Sequence, residues 1–338
     1  MVYSNVKIEL FTIFESRETK FRSRNIVFLS SLFTFTLYTY LFIHIRDTIW
    51  LHIGAAQNYI VMDTVLLSDL ERFYLIQGIE VGCRMDGRGP SEYRPLEIET
   101  NILSHATGSA SIRIGETFIV CCVKMEVGKP SLTRLNEGRI EINVECYPTA
   151  TYRCNEKGAS ELAERLKTTL QSTYQSEFIN LNSLCIQRGR QCWVIYIDLL
   201  ILEGAGNLLD ASSLVIKAAL LNATQSNSFL SSVFRNDTNT SDTEIRNCNE
   251  DMLPLFVTVH KIGNAYIIDA TKEEEACSLS RLSLVIYPDG SIGFLEHDGC
   301  CSCQLESIVE MSQLATTVGK ELNHALIRTL ELEKQLRS

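Results

Sequence analysis

Five groups of side chains have the types and spacing to do chemistry. Glu273-Glu-Glu275 stacks three carboxylates that could hold a metal or move a proton, and Lys129, Arg134 and Arg139 put three cations on one polar stretch, Gly128 to Arg139. His297 with Cys300, Cys301 and Cys303 has the flavour of a soft-metal cluster but lacks the second spaced pair that structural zinc sites use. Gly204-Ala-Gly206 is a glycine turn with no Lys-Ser/Thr after it, which a phosphate loop would need. Arg84-Met-Asp-Gly-Arg-Gly-Pro90 is a charged turn through which neither helix nor strand can run. The plainer account of the carboxylates is a solvated helix start, favoured by the macrodipole, and of the Cys/His group an exposed turn opened by Asp298-Gly299. No metal or cofactor is expected, and His105, His260 and His324 are isolated and read as structural.

The elements that must position these groups follow from periodicity. Apolar residues at helical spacing predict a short helix within 63–76, capped by Ser68 or Asp63, and strands are predicted at 96–100, 108–114, 117–124 and 139–145. Leu162, Leu166 and Leu170 form one stripe of a helix over 160–170. Cys192 to Leu202 is an apolar, β-branched and aromatic run that reads as a buried strand, followed by a buried helix over 210–221 capped by Asp210. Residues 223–250 are dominated by Ser, Asn, Thr and Asp and are predicted to be a mobile loop. Strands return at 255–261, 265–269 and 282–287, and a long helix closes the chain over 304–334. The expected class is α+β, with helices packed on a mixed sheet.

Bulk properties narrow the function. The chain has 338 residues and a net charge of -10, so it does not grip nucleic acid through its overall charge; any such contact is local or shared with basic neighbours. All twelve cysteines follow residue 82 and most sit inside apolar runs, as free thiols do in a reducing compartment. Residues 1–61 differ from the rest. The run 26–45 is long enough to cross a bilayer, but it is rich in Phe, Thr, Tyr and Ser, so a membrane anchor is disfavoured and the working domain is taken as 62–332.

With the residues laid out, a resemblance emerges. Arg84-Met-Asp-Gly-Arg88 followed by Tyr93-Arg94, then Thr107-Gly-Ser-Ala110 and Gly115, resembles the opening of RNase PH-like domains. Gly204-Ala-Gly-Asn-Leu-Leu-Asp-Ala211, Lys261-Ile-Gly263, Asp269-Ala-Thr271 and Glu273-Glu-Glu-Ala-Cys-Ser278 resemble one subgroup, a ring subunit type of the eukaryotic RNA exosome. The resemblance spans about 62–332 and implies a fold like ribosomal protein S5 domain 2. It also implies partners: the other RNase PH-like subunits of a hetero-hexameric ring, RNA-binding cap subunits, and single-stranded RNA in the channel. The implied locations are nucleus, nucleolus and cytoplasm.

Active members of that family cleave RNA with phosphate, which hydroxyls, backbone amides and an arginine hold beside paired carboxylates. Here Asn207, Leu208 and Leu209 stand where the resemblance puts a hydroxyl, the arginine and a second hydroxyl, and Glu275 and Arg281 stand at the two acidic positions. A leucine cannot bind phosphate, and Arg281 is expected to pair with Glu275 or repel a metal. The expected role is therefore a non-catalytic ring subunit supporting 3′-to-5′ RNA processing and degradation, including ribosomal RNA maturation and messenger RNA turnover. Lys129, Arg134 and Arg139 are the candidate RNA contacts. The alternatives are an active phosphate-dependent exoribonuclease and a membrane-anchored protein.

Overall fold

A computed structural model describes residues 65–131, 134–150, 156–174, 181–226, 253–299 and 303–337, all within one compact unit. The apolar run 26–45, residues 227–250 of the polar stretch, and Cys300 and Cys301 lie outside the described residues.

Helix α1 (Asp69–Glu80) begins where the sequence supplies a capping box. Ser68 Oγ accepts from the Glu71 amide at 3.3 Å, and Glu71 Oε2 accepts from the Ser68 amide at 2.8 Å. Its buried residues, Leu75 and Ile79, meet Ile262, Ile267, Ala270 and Cys277. Replacing Ser68 by Ala should cost about 1 kcal/mol, confined to the first turn; faster amide exchange at Glu71, with the global unfolding midpoint barely changed, would show it.

The first sheet holds β1 (Leu96–Thr100), β2 (Gly108–Ile114), β3 (Thr117–Gly128), β4 (Arg139–Cys146), β5 (Cys185–Gln187) and β6 (Gln191–Glu203). Its order is β1-β2-β3-β6-β4, with β5 paired to β6, and β4 runs parallel to β6. The connection between those two carries α2 (Glu156–Tyr174), whose Ala163, Leu166 and Leu170 are buried. The second sheet holds β7 (Leu255–Ile262), β8 (Ala265–Ile268), β9 (Ser280–Ile286) and β10 (Ile292–Gly299) in the order β10-β9-β7-β8. A short helix, α4 (Lys272–Cys277), lies between β8 and β9, and α5 (Leu305–Arg337) closes the chain.

Between the sheets runs α3 (Leu208–Ser226), packed on β2 and β3 from one side and β7 from the other. It is buried nearly all round, as a helix with two walls must be. One cation interrupts it: the buried Lys217 gives its Nζ protons to Leu253 O at 2.7 Å and Asn323 Oδ1 at 2.5 Å, tying α3 to the entry of β7 and to α5. A buried ammonium persists only when its protons are placed on acceptors in this way.

Three expectations need correction. Helix α3 continues to Ser226, so residues 223–226 of the anticipated loop are helical. Asp210 is not its cap; it lies in the first turn and its carboxylate turns to Thr258 of β7. Residues 292–299 form β10, so Asp298 and Gly299 are the last residues of an edge strand, and what directly follows them lies outside the described residues. The strand's alternation of exposed and half-buried residues was masked by weakly apolar composition and by a bulge between Ile292 and Phe294.

Candidate functional site

Three of the five groups singled out for chemistry, the 204–206 turn, the Glu273–Glu275 carboxylates and the charged turn from Arg84, meet where the turn before α3 faces α4. Gly206 takes φ +94°, and a methyl there would lie 2.6 Å from Ala270 O and 2.9 Å from the Lys272 amide nitrogen, so this turn touches the backbone leading into α4. Asn207 follows at φ +55°, a left-handed conformation that Asn tolerates. Its backbone amide donates to Glu275 Oε1 at 2.7 Å, and its Nδ2 donates to Asp269 Oδ1 at 2.9 Å. Leu208 and Leu209 are half-buried against the main core, and their side chains carry no polar atom.

This geometry decides what the turn can bind. Burial raises the Glu275 carboxyl, while the Arg281 charge, the Asn207 amide and the Arg94 charge pull the other way. The amide at the mouth of α3 is thus engaged by an acid of the same chain, and an incoming phosphate would have to displace a carboxylate to reach it.

Arg281 departs from expectation. It does not bind Glu275: its Nη2 donates to Asp298 Oδ2 at 2.6 Å across the β9–β10 ladder, where these two residues stand opposite each other. Arg165 of α2 reaches the same oxygen. Burial alone would raise the Asp298 carboxyl, but the two guanidinium groups hold it below the usual carboxylate range. A carboxylate therefore does stand near this end of the sheet, and two cations neutralise it. On the neighbouring strand, His260 lies opposite Arg281, and burial pushes its imidazole down to about 3, so it is neutral in ordinary buffers.

The charged turn at 84–94 turns out to be a brace. Arg84 makes a two-pronged pair with Glu274, Nε to Oε1 at 2.9 Å and Nη2 to Oε2 at 2.6 Å, and its remaining protons go to Ile268 O, Asp269 O and, more distantly, Gly89 O. Arg94 grips Asp269 with Nε at 2.9 Å and Nη2 at 2.8 Å, and Arg88 adds a third guanidinium at 3.0 Å. Asp269 is 0% exposed and sits at φ +49°. Burial would raise its carboxyl, but Arg94 and Asn207 hold it below the ordinary range. Glu274 is accordingly buried and not part of a solvated helix start; of the three consecutive carboxylates only Glu273 is exposed. Asp269, Arg84, Arg94 and Glu274 were not singled out as partners from sequence. The available signal was an aspartate ending the apolar strand Tyr266-Ile-Ile268, where an acid needs a partner.

Asp210 forms a second buried knot, accepting from Tyr93 Oη at 2.9 Å, the Thr258 amide at 3.0 Å and Thr258 Oγ1 at 2.7 Å. Burial outweighs these bonds and pushes its carboxyl up to about 6 from 3.8. A raised folded value means the group favours folding below the unfolded pKa and loses that contribution as pH climbs through the folded one. In Asp210→Asn, the decline in stability between about pH 4 and 6 should flatten, at most about 1.4 kcal/mol for each pH unit; urea midpoints at three pH values would measure it.

Of the candidate RNA contacts, Lys129 and Arg134 are exposed and Arg139 is half-buried. Arg134 pairs with Glu137 at 3.1 Å and Arg139 with Glu141 at 2.8 Å. His297 is exposed on β10, and Cys303 Sγ lies beside Ser280 Oγ. Among the described residues, no three His, Cys, Asp or Glu side chains gather as metal ligands, and no helix is long and apolar enough to cross a membrane.

Comparison with known proteins meets the same two halves. Residues 92–225 match domain 1 of the 3′ exoribonuclease family, RNase PH, and residues 253–318 match its domain 2. The exosome complex component Rrp42 of Methanopyrus kandleri is 33% identical over 237 residues, covering 68% of this chain and 86% of that one. The protein of that name from Thermococcus kodakarensis is 30% identical over 273 residues, covering 78% and 97%. Among solved structures, a chain of an archaeal exosome core superposes with a TM-score of 0.60 at 26% identity, covering 76% of this chain and 96% of that one. A chain of the Archaeoglobus fulgidus exosome with RNA bound to the active site gives 0.62 at 27%, covering 76% and 98%.

Proposed function

Because the chain belongs to the RNase PH family of 3′ exoribonucleases, we propose that it serves as a ring subunit of an RNA exosome and holds its neighbours around threading RNA without cleaving it. The relatives and the superposed chains come from exosome cores, which supports ring membership and, with it, other RNase PH-like subunits and RNA-binding cap subunits as partners.

The catalytic silence rests on one observation. The backbone amide that opens α3 is held by Glu275, and the next two side chains are the half-buried Leu208 and Leu209. Phosphorolysis needs a cradle of donors and positive charge for the attacking phosphate. Here the donor is taken by an anion and the flanking side chains are hydrocarbon. The nearby guanidinium of Arg281 is spent on Asp298. Lys129, Arg134 and Arg139 would give a sequence-blind grip on single-stranded RNA, and ribosomal RNA maturation and messenger RNA turnover, in nucleus, nucleolus and cytoplasm, are the processes such a subunit supports.

Incubating the full-length chain with a single-stranded oligoribonucleotide and inorganic phosphate should release no nucleoside diphosphate, either by itself or in a ring whose other subunits carry inactivating substitutions. Phosphate-dependent shortening of the RNA by this chain would overturn the reading.

A further inference from the structure

We propose that Cys185 and Cys192 form a dithiol modification site, closed to a disulfide by hydroperoxide and reopened by thiol reductants. Cys185 opens β5 and Cys192 is the second residue of β6, and the antiparallel ladder sets them opposite each other, with a register shift following between Cys185 and Gln187. Directly opposite residues in such a ladder have Cα atoms about 4.5–5.5 Å apart, and a disulfide spans about 4.4–6.8 Å. Both are free thiols, and no other two cysteines among the described residues stand opposite each other in a ladder.

Their surroundings assign the roles. Cys185 is half-buried and Cys192 fully buried, so hydroperoxide reaches Cys185 first. Burial pushes the Cys192 thiol up, which keeps it out of the first step, while the Arg139 guanidinium acts in the opposite sense. Arg139 pairs with Glu141 through Nη2, while its buried Nε makes no hydrogen bond, and its charge favours the Cys192 thiolate as it forms. In the first step the Cys185 thiolate attacks a peroxide oxygen, the O–O bond breaks, and Cys185 becomes a sulfenic acid as water or an alcohol departs. Then the Cys192 sulfur attacks Sγ of Cys185: the S–S bond forms, the S–O bond breaks, and the hydroxide leaves as water with the Cys192 proton. Two thiols are oxidised and one hydroperoxide is reduced. Exchange with a dithiol or glutathione reverses the change.

The hairpin so closed supports the polar segment before β4. The Gly189 amide donates to Leu135 O at 2.9 Å, and the Gly138 amide donates to Leu181 O at 2.8 Å. Oxidation should therefore stiffen the seat of Arg134 and Arg139. The dithiol chemistry itself stands whether or not those side chains touch RNA.

Treating the full-length folded chain with hydrogen peroxide, alkylating it and digesting with trypsin gives a direct test, because Arg188 and Arg190 lie between the two cysteines and the peptides are cut apart. The expected product is a pair of peptides carrying Cys185 and Cys192, joined, two hydrogens lighter than the separate thiols and released by reductant. Cys185→Ser should abolish it. Cys192→Ala, shown by its thermal melt to be folded, should instead leave a Cys185 sulfenic acid that dimedone traps. Cys192 still alkylated while Cys185 is untouched or carries sulfinic acid, or Cys192 joined to any other cysteine, would overturn the proposal.

Discussion

Asp269→Asn should be the most damaging single-atom change in this chain, lowering its stability by about 3–5 kcal/mol, the usual result of removing one partner of a buried ion pair. The substitution keeps the shape, and Asn tolerates the φ of +49° at this position, so backbone strain is not the cause. What is lost is the anion on which Arg88 and Arg94 converge and which also receives the Asn207 side chain. Arg94 is then left largely buried without its paired carboxylate, and Arg88 keeps only the partly exposed Asp86 as counter-charge. The matched control is Asp86→Asn, whose carboxylate is partly exposed and pairs with Arg88 alone; it should move the urea midpoint little. Acidity offers a second reading. A carboxyl held below its unfolded value of 3.8 contributes stability that is complete above that value and is lost as pH falls through the folded one. The native chain should therefore lose stability steeply in acid, while the Asn variant, already without that contribution, should show a shallower fall. Equal midpoints for the two variants at neutral pH would refute the central place given to Asp269.

Gly206→Ala is the second large effect. The new methyl would meet Ala270 O at 2.6 Å, and φ is +94°, where an L side chain is strained whatever space it has. The conformational penalty is roughly 1–2 kcal/mol, and forcing apart two tightly packed backbones adds about 1–3 kcal/mol. Gly82→Ala separates the two: its φ is +82°, but no atom lies within 4 Å of the added carbon, so it carries the first cost only. If both variants unfold at the same urea concentration, the close contact between the α3 turn and the approach to α4 is not what holds that corner together.

Much of this architecture was legible because hydrophobic alternation and helical spacing report burial directly. Strands β1 to β4 and β6, the apolar helix α3 and the closing α5 fall where their patterns put them. The charged corner was only half legible. Arg84 and Arg88 stood out as a turn, yet their partners, Glu274 and Asp269, lie more than 180 positions away in the chain, and no local pattern encodes a contact of that span. The partner of Arg281 was missed for a related reason: Asp298 belongs to β10, a strand with no apolar face to announce it. At Glu275 the residue was named but not its bond, because acceptance of the Asn207 amide depends on the turn of Gly206 and not on any side-chain pattern.

Lodging α3 between two sheets, pinned by Lys217 to Leu253 and Asn323, has a mechanical corollary. Peeling away either sheet bares the face of α3 that it covered, so the two halves should come apart in a single cooperative step, and damage inflicted on one should be felt as softening of both.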